Sequence, residues 1–335
     1  MNSSVSQRSI YDRRYEAGHY DQRSAVRVLT AEREALRHAM DRALRPGRRV
    51  RRINLFDFGY GTGRVTNEFI GSYAGQYSVA GKDLQVVAYD VSSAGLIKAK
   101  EALCSDGFAL DGPISWAPDA KTGYIAGRVS KRAAGITITV VFVHGHEDQH
   151  PSVLRRLALT VNNGKKYHLT TSWYSGLGHI PGESLRREYF RQLGKLTSRR
   201  GEMVMSMSAT GDLPELQQEF SERLAAGATD GLPIQAPGDV IYETELGQPN
   251  FYHVFGTDLN DHMRAITGLR QHWWVAGIRY PDEEFPSHEA EQSNYRRVLE
   301  ANARKRDRTW DAADYREFHT VAAFRGPLNP RKQWR

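Results

Sequence analysis

The chain has 335 residues, 40% of them hydrophobic and 25% charged, enough apolar material for one large domain or two small ones. Its polar opening, MNSSVSQRSIYDRRYEAGHY, lacks the apolar core and cleavage site of a signal peptide, so none is expected, and the longest apolar run, ITITVVFV, is far too short to span a bilayer. A lone cysteine, Cys104, excludes an internal disulfide and suits a reducing cytoplasm, the location expected for the protein.

Residues 8–45 are expected to be helical, with Val26, Leu29, Leu36, Met40 and Leu44 near one face and Pro46-Gly47 ending the pattern. Residues 52–74 read as a strand, a glycine turn and a helix, and 84–103 repeat that plan. A Gly/Pro-containing excursion over 105–135 precedes the strand GITITVVFVHG and the helical SVLRRLAL. KYHLTTSWYS is the next strand, GESLRREYFRQLGKLT a helix and RGEMVMSMSA a further strand. The second half is less regular. Leu213, Leu216, Phe220 and Leu224 mark an amphipathic helix, DVIYETE and NFYHVFG extended segments, and TDLNDHMRAITGL a helix. HWWVAGIRY is a strand, a polar helical stretch covers 287–312, and EFHTVAAFRG is the last strand. Such β-α alternation predicts an α/β fold, an open, mostly parallel sheet with helices on both faces.

A net charge of +7 raises nucleic acid as a partner. The dense patches, RPGRRVRR and ANARKRDR, carry no interleaved aromatics such as a single-strand stacking surface needs, so nucleic acid is not the partner expected.

FDFGYGTGR places Asp57, Gly59, Gly61 and Gly63 directly after the first strand and at the start of a helix. Glycine lets the chain turn tightly and lets a ligand approach backbone that a Cβ would block. In a doubly wound sheet, the carboxyl end of this strand is where a nucleotide-like ligand sits. The dinucleotide fingerprint is G-x-G-x-x-G, with pyrophosphate over the helix N-terminus. This chain has G-x-G-x-G behind an acid, which would repel pyrophosphate and suit a cationic amino-acid group. The spacing resembles motif I (D/E-x-G-x-G-x-G) of the class I S-adenosylmethionine-dependent methyltransferases.

That resemblance covers residues 50–210 and implies S-adenosyl-L-methionine as cofactor. It also implies a Rossmann-like, doubly wound, seven-stranded sheet whose last strand is antiparallel. Residues 1–335 then form one methyltransferase domain, with an N-terminal helical lid at 1–48 and a cofactor-binding core at 50–210. Segments 207–240 and 281–315 are substrate-side insertions. Asp90 closes the second strand, where the family uses an acid to accept both ribose hydroxyls. Two carboxylate oxygens can take paired hydrogen bonds from a cis-diol. The competing role for Asp90 is a helix cap, a duty that Ser92 or Ser93 could share.

VVFVHGHEDQHP, residues 140–151, ends the strand that follows the excursion. His144, His146, Asp148 and His150 come close to the H-x-H-x-D-H string of binuclear zinc hydrolases, but Gln149 separates the acid from the last histidine. No further His-Asp set stands at a metal-like spacing, so no metal is expected. The resemblance instead implies an acid here that accepts the adenine amino group, and Glu147 and Asp148 fit.

TSWYSGLGHIP looks like the family's motif IV segment, with His179 and Pro181 matching an H-I-P string. In the resembled family, residues just after this strand face the transferring methyl group, which implies Ser172 as a cofactor contact, Trp173 and Tyr174 as substrate contacts, and His179 or Tyr174 as a base. Core packing for Trp173 and helix capping for His179 are the plainer alternatives. Tyr11, Tyr15 and Tyr20 belong to the segment that the resemblance folds over cofactor and substrate as a lid, where aromatic rings can face a sulfonium and Tyr20 is expected against substrate; simple packing of one amphipathic face is the plainer alternative.

Methyl transfer is an in-line displacement that needs alignment and exclusion of water, and a base only where the nucleophile must lose a proton. A small-molecule acceptor is expected, and the chain is similar to natural-product methyltransferases of secondary metabolism, most sharply those that methylate indole C3 to give a pyrroloindoline. N- or O-methylation of another small molecule, RNA methylation and a zinc-dependent hydrolase are the alternatives. No membrane partner is expected, and Trp273 and Trp274 are candidates for core and homodimer contacts.

Overall fold

In a computed structural model of the chain, the residues described are 7–18, 30–44, 50–77, 80–116, 123–174, 176–209, 238–244, 246–255, 259–278 and 318–326, with positions 218, 222, 289–290, 292–293 and 296. The long helix expected at the start is interrupted. Helix α1 (Gln7–Glu16) closes at Ala17 and Gly18, where φ is +73° and the Gly18 N–H turns back to the Tyr15 carbonyl at 3.1 Å. Glycine enters that left-handed region without a Cβ penalty, which is why the helix stops there. Helix α2 (Thr30–Ala43) carries the second part, with Leu36 and Met40 buried as expected; Tyr20, Val26 and Leu29 lie outside the described residues.

The core alternates as expected: β1 (Arg52–Phe58), α3 (Arg64–Tyr77), β2 (Asp83–Asp90), α4 (Ser93–Ser105). The excursion becomes β3 (Ala109–Leu110) and β4 (Tyr124–Ala133), which turns back antiparallel onto β5 (Ile136–His144). Then follow α5 (Pro151–Val161), β6 (Tyr167–Ser172), a short 3-10 turn (Gly176–His179), α6 (Glu183–Leu196) and β7 (Thr197–Ala209). Beyond them are β8 (Asp239–Glu243), β9 (Pro249–His253), α7 (Leu259–Thr267), β10 (Arg270–Ile278) and β11 (Phe318–Arg325). Of the amphipathic helix expected over 213–227 only Gln218 and Glu222 are described, both helical and hydrogen-bonded at 2.9 Å.

One sheet runs β10-β11-β7-β6-β1-β2-β5-β4-β3, and β8 with β9 forms a separate antiparallel pair. Strands β7, β6, β1, β2 and β5 are mutually parallel, and the last strand, β11, is antiparallel to β7. The fold is therefore the doubly wound, Rossmann-like α/β architecture. Its sheet is wider than the seven strands expected, because the excursion adds β4 and β3 beyond β5. Parallel strands buried on both faces read as near-continuous apolar runs, which is how β1, β2 and β5 appear in the sequence. Successive side chains of β1 go to opposite faces. Ile53 and Leu55 join the core under α2, α3 and α4, while Phe56 and Phe58 join the core under α5, α6 and α7. Strand order reverses across β1, between β6 and β2, and open α/β sheets leave a crevice at the carboxyl ends of strands at such a point.

Candidate active site

The crevice begins at the glycine turn after β1. Gly59, Gly61 and Gly63 all have positive φ, and the Gly59 and Tyr60 N–H groups donate to the Tyr89 carbonyl at 2.9 and 3.0 Å, clamping the turn to the end of β2. Gly61 is required twice over. Its φ is +53°, and a Cβ there would lie 2.4 Å from the Tyr15 hydroxyl oxygen, because α1 lays Tyr15 across the turn.

Asp57 projects from β1 toward the α3 side and is 1% exposed. Its oxygens accept hydrogen bonds from Thr66 Oγ1 at 2.5 Å and Thr171 Oγ1 at 2.8 Å, and Trp173 Nε1 donates to Thr66 Oγ1 at 3.2 Å. Burial outweighs these donors, and with Asp90 and Glu32 nearby the Asp57 carboxyl is pushed up to about 7. Asp90 accepts the Gly61 N–H at 2.6 Å and the Ser92 N–H at 2.7 Å, and burial raises it to about 6. Ser92, not Asp90, caps α4, since its hydroxyl accepts the Gly95 N–H. Asp90 thus fastens the glycine turn to β2 and borders the same opening.

The loop after β5 brings Glu147 and Asp148 to that opening. The Arg8 N–H donates to Glu147 Oε2 at 3.1 Å, while Asp148 is 87% exposed. The three histidines of this stretch do local work instead. His144 is buried between the Tyr124 hydroxyl at 3.1 Å and the Val91 carbonyl at 3.0 Å, and burial lowers its pKa. His146 Nδ1 accepts the Asp148 N–H, and His150 caps α5 by accepting the Ser152 N–H. Among the described residues no three His, Cys, Asp or Glu side chains are grouped as metal ligands would be.

From the end of β6, Trp173 and Tyr174 reach the opening, and the 3-10 turn adds His179. Ser172 does not join them. It is buried, outside the cavity wall, with its Oγ beneath Gly176 and without a partner among the described residues. Alternation along β6 explains this, because a residue pointing under the turn cannot also face the mouth. Tyr174 has a φ of +54°, rare for a residue with a bulky side chain, and its N–H donates to Ser206 Oγ at 2.7 Å. His179 Nδ1 bonds the Phe251 carbonyl of β9 at 2.7 Å, which fixes the proton on Nδ1 and leaves the Nε2 lone pair free to accept. Burial lowers the His179 pKa to about 4, so the ring is neutral at pH 7. Tyr11 of α1 meets it edge-on, centroids 5.3 Å apart.

The glycine turn, the acids and the rings facing the opening surround one cavity of about 460 Å³, within the range of small-molecule sites. Asp57, Asp90, Glu147 and Asp148 stand in its wall against a single described cation, Arg64. Arg64 is itself paired with buried Glu32, Nη1 to Oε2 at 2.9 Å and Nη2 to Oε1 at 3.0 Å. Although the chain is basic overall, its cavity is acidic and lined with rings from Tyr11, Tyr15, Tyr60, Tyr89, Trp173, Tyr174 and Tyr189. Sequence reasoning missed Glu32, Arg64, Thr66, Thr171 and Tyr89. Arg64 stood in plain view after the third glycine, whereas the others carry no local signal.

No family model and no curated protein matches the chain. Several solved structures resemble it in shape. The CcbJ methyltransferase from Streptomyces caelestis is 15% identical, with 95% of this chain and 98% of that one covered and a TM-score of 0.44. An S-adenosylmethionine-dependent methyltransferase from Clostridium acetobutylicum is 10% identical over 95% of this chain and 97% of the other, TM-score 0.46. Another from Methanosarcina mazei is 9% identical over 84% and 95%, TM-score 0.44.

Proposed function

We propose that the chain is an S-adenosyl-L-methionine-dependent methyltransferase acting on a small, flat acceptor. The observation that carries this reading is the acidic cavity at the carboxyl ends of β1, β2, β5 and β6. Four carboxylates against one neutralised cation favour a ligand bearing an ammonium and a sulfonium, and disfavour pyrophosphate or a nucleic-acid backbone. Asp90 would accept the ribose hydroxyls, Glu147 or Asp148 the adenine amino group, and Asp57 would face the amino-acid end across the glycine turn. The bound sulfonium supplies the activated methyl group.

The protein's own part is alignment and exclusion of water. Helix α1, on this reading the lid of a single domain spanning 1–335, lies over the mouth with Tyr11 and Tyr15 inward. Asp12 on α1 accepts both the Ser92 hydroxyl at 2.6 Å and the Ala94 N–H at 3.1 Å, docking the lid on the N-terminus of α4. Residues 50–210 hold the cofactor on this reading, and 207–240 and 281–315 belong to the acceptor side. His179 Nε2, held neutral, can accept a hydrogen bond from an acceptor N–H or O–H. At a pKa of about 4 it is a weak base, which fits an acceptor that loses its proton late, as an indole methylated at C3 does.

Calorimetry with S-adenosylmethionine, S-adenosylhomocysteine, NAD and zinc tests the reading. The sulfonium compound and its thioether product should bind while NAD and zinc give no signal. Zinc binding without any response to the other three would sink it.

A further inference from the structure

Tyr174 lies at the mouth of the cavity in a backbone conformation that costs a non-glycine residue energy, so something in the surroundings must hold it there. Two groups do. The Tyr174 N–H donates to Ser206 Oγ on β7 at 2.7 Å, and the Arg64 guanidinium lies over the Tyr174 ring, 5.4 Å from its centroid. Both lead to one carboxylate. Ser206 Oγ donates to Glu32 Oε1 at 2.8 Å, and the same Glu32 takes the two Arg64 hydrogen bonds. Glu32 is fully buried on α2 and is not part of the cavity wall.

A buried charge is retained at a cost unless it is paired and hydrogen-bonded, and the Glu32 bonds to Ser206 and Arg64 both lead to Tyr174. We propose that Glu32 is a positioning residue of the site, holding Tyr174 in place by its backbone through Ser206 and by its ring through Arg64. Ionised Glu32 orients the Arg64 fork in two directions at once, so the guanidinium plane and the ring it covers have one arrangement. The Ser206 hydroxyl, with its proton directed to Glu32, keeps a lone pair for the Tyr174 N–H. The significance for methyl transfer rests on the function proposed above; the geometric claim about Tyr174 does not.

Fluorine NMR of the full chain labelled with fluorotyrosine tests it. The Tyr174 resonance is assigned by its loss in Tyr174→Phe. Glu32→Gln and Ser206→Ala should each shift that resonance by more than its linewidth, and Ser206→Thr, which keeps a hydroxyl, should restore it. Glu68→Gln, which breaks only the exposed pair with Arg33, should leave it in place. Ser206→Ala leaves the Arg64–Glu32 pair intact and keeps the test decisive even if Glu32→Gln does not fold. An unmoved resonance in Ser206→Ala overturns the proposal. Calorimetry with S-adenosylhomocysteine on the same samples separates the two claims. Absence of binding to the wild-type chain would remove the methyltransferase reading and leave the fluorine result to judge the Glu32 network alone.

Discussion

At the scale of single residues, the two strand-end carboxylates carry opposite demands. Asp57 and Asp90 are raised from an ordinary value of 3.8 to about 7 and about 6, chiefly by burial. Between about pH 4 and 7 the folded chain therefore holds more protons on them than the unfolded chain does. Their contribution to stability is present in full below about pH 4 and is lost as pH rises through 6 and 7. Asp57→Asn removes one such group while keeping its shape, and Thr171 can rotate to accept from the new amide. The variant's Tm advantage over the wild type should grow as pH rises from about 5 to 8, in melts run side by side. Cation binding acts the other way, because a bound sulfonium favours the ionised acids. Affinity for S-adenosylmethionine should rise with pH across the same window, by up to about tenfold per unit for each proton released. Calorimetry in buffers of different ionisation enthalpy would count those protons. His179 contributes no limb to a pH–rate profile above about pH 5, since it is already neutral there.

At the scale of elements, α1 is the segment with most to lose. It touches the rest of the molecule through Arg8 on Glu147, Asp12 on the start of α4, Arg14 on Tyr242 of β8 and Tyr15 on the glycine turn. Asp12→Ala should cost about 1 kcal/mol, the usual loss of a helix-capping acceptor, and should speed tryptic cleavage at Arg13 and Arg14. Unchanged cleavage would show that α1 does not depend on this dock. Gly61→Ala combines a left-handed φ, worth about 1–2 kcal/mol, with a clash on Tyr15. It should therefore lower Tm, and because Tyr15 is a buried side chain of α1 it should displace α1 as well.

Across the whole molecule, the small β8–β9 sheet is tied to the main body by a further buried carboxylate. Asp239 accepts Arg186 Nη1 at 3.1 Å and pairs with His253 Nδ1 at 2.8 Å, linking β8 to α6 and β9. The same β9 offers the Phe251 carbonyl that sets the His179 tautomer. Asp239→Asn leaves Arg186 buried without its counter-charge, a loss of about 3–5 kcal/mol for a broken buried pair. Denaturant unfolding should report that loss. Because the Phe251 carbonyl favours the protonated ring, His179 should titrate still further below its ordinary value once that anchor loosens, which proton NMR of its ring would register. Among the described residues, no helix is long and apolar enough to cross a membrane.

Strand, turn and helix around Asp57–Gly63, the acid at Asp90 and the alternation that makes the sheet were all legible in the amino-acid sequence. Hydrophobic period and turn chemistry are properties of neighbours along the chain, so they can be read there. Breaks and additions were harder: Gly18 ends α1 inside a stretch whose periodicity runs on, and the excursion over 105–135 pairs with β5 only through long-range bonding. The histidines of HGHEDQHP could not be sorted from sequence because their roles depend on Tyr124, Val91 and a helix start, which only folding brings beside them. Ser206 and Glu32 lie 174 positions apart, and Thr171 and Asp57 lie 114 apart. Their hydrogen bonds, and the burial that raises Asp57 and keeps His179 neutral, exist only where the packed chain excludes water. The sequence by itself determined which groups could meet a ligand at the carboxyl edge of the sheet. Tertiary structure decided which of them face the cavity, in what charge state, and what holds them there.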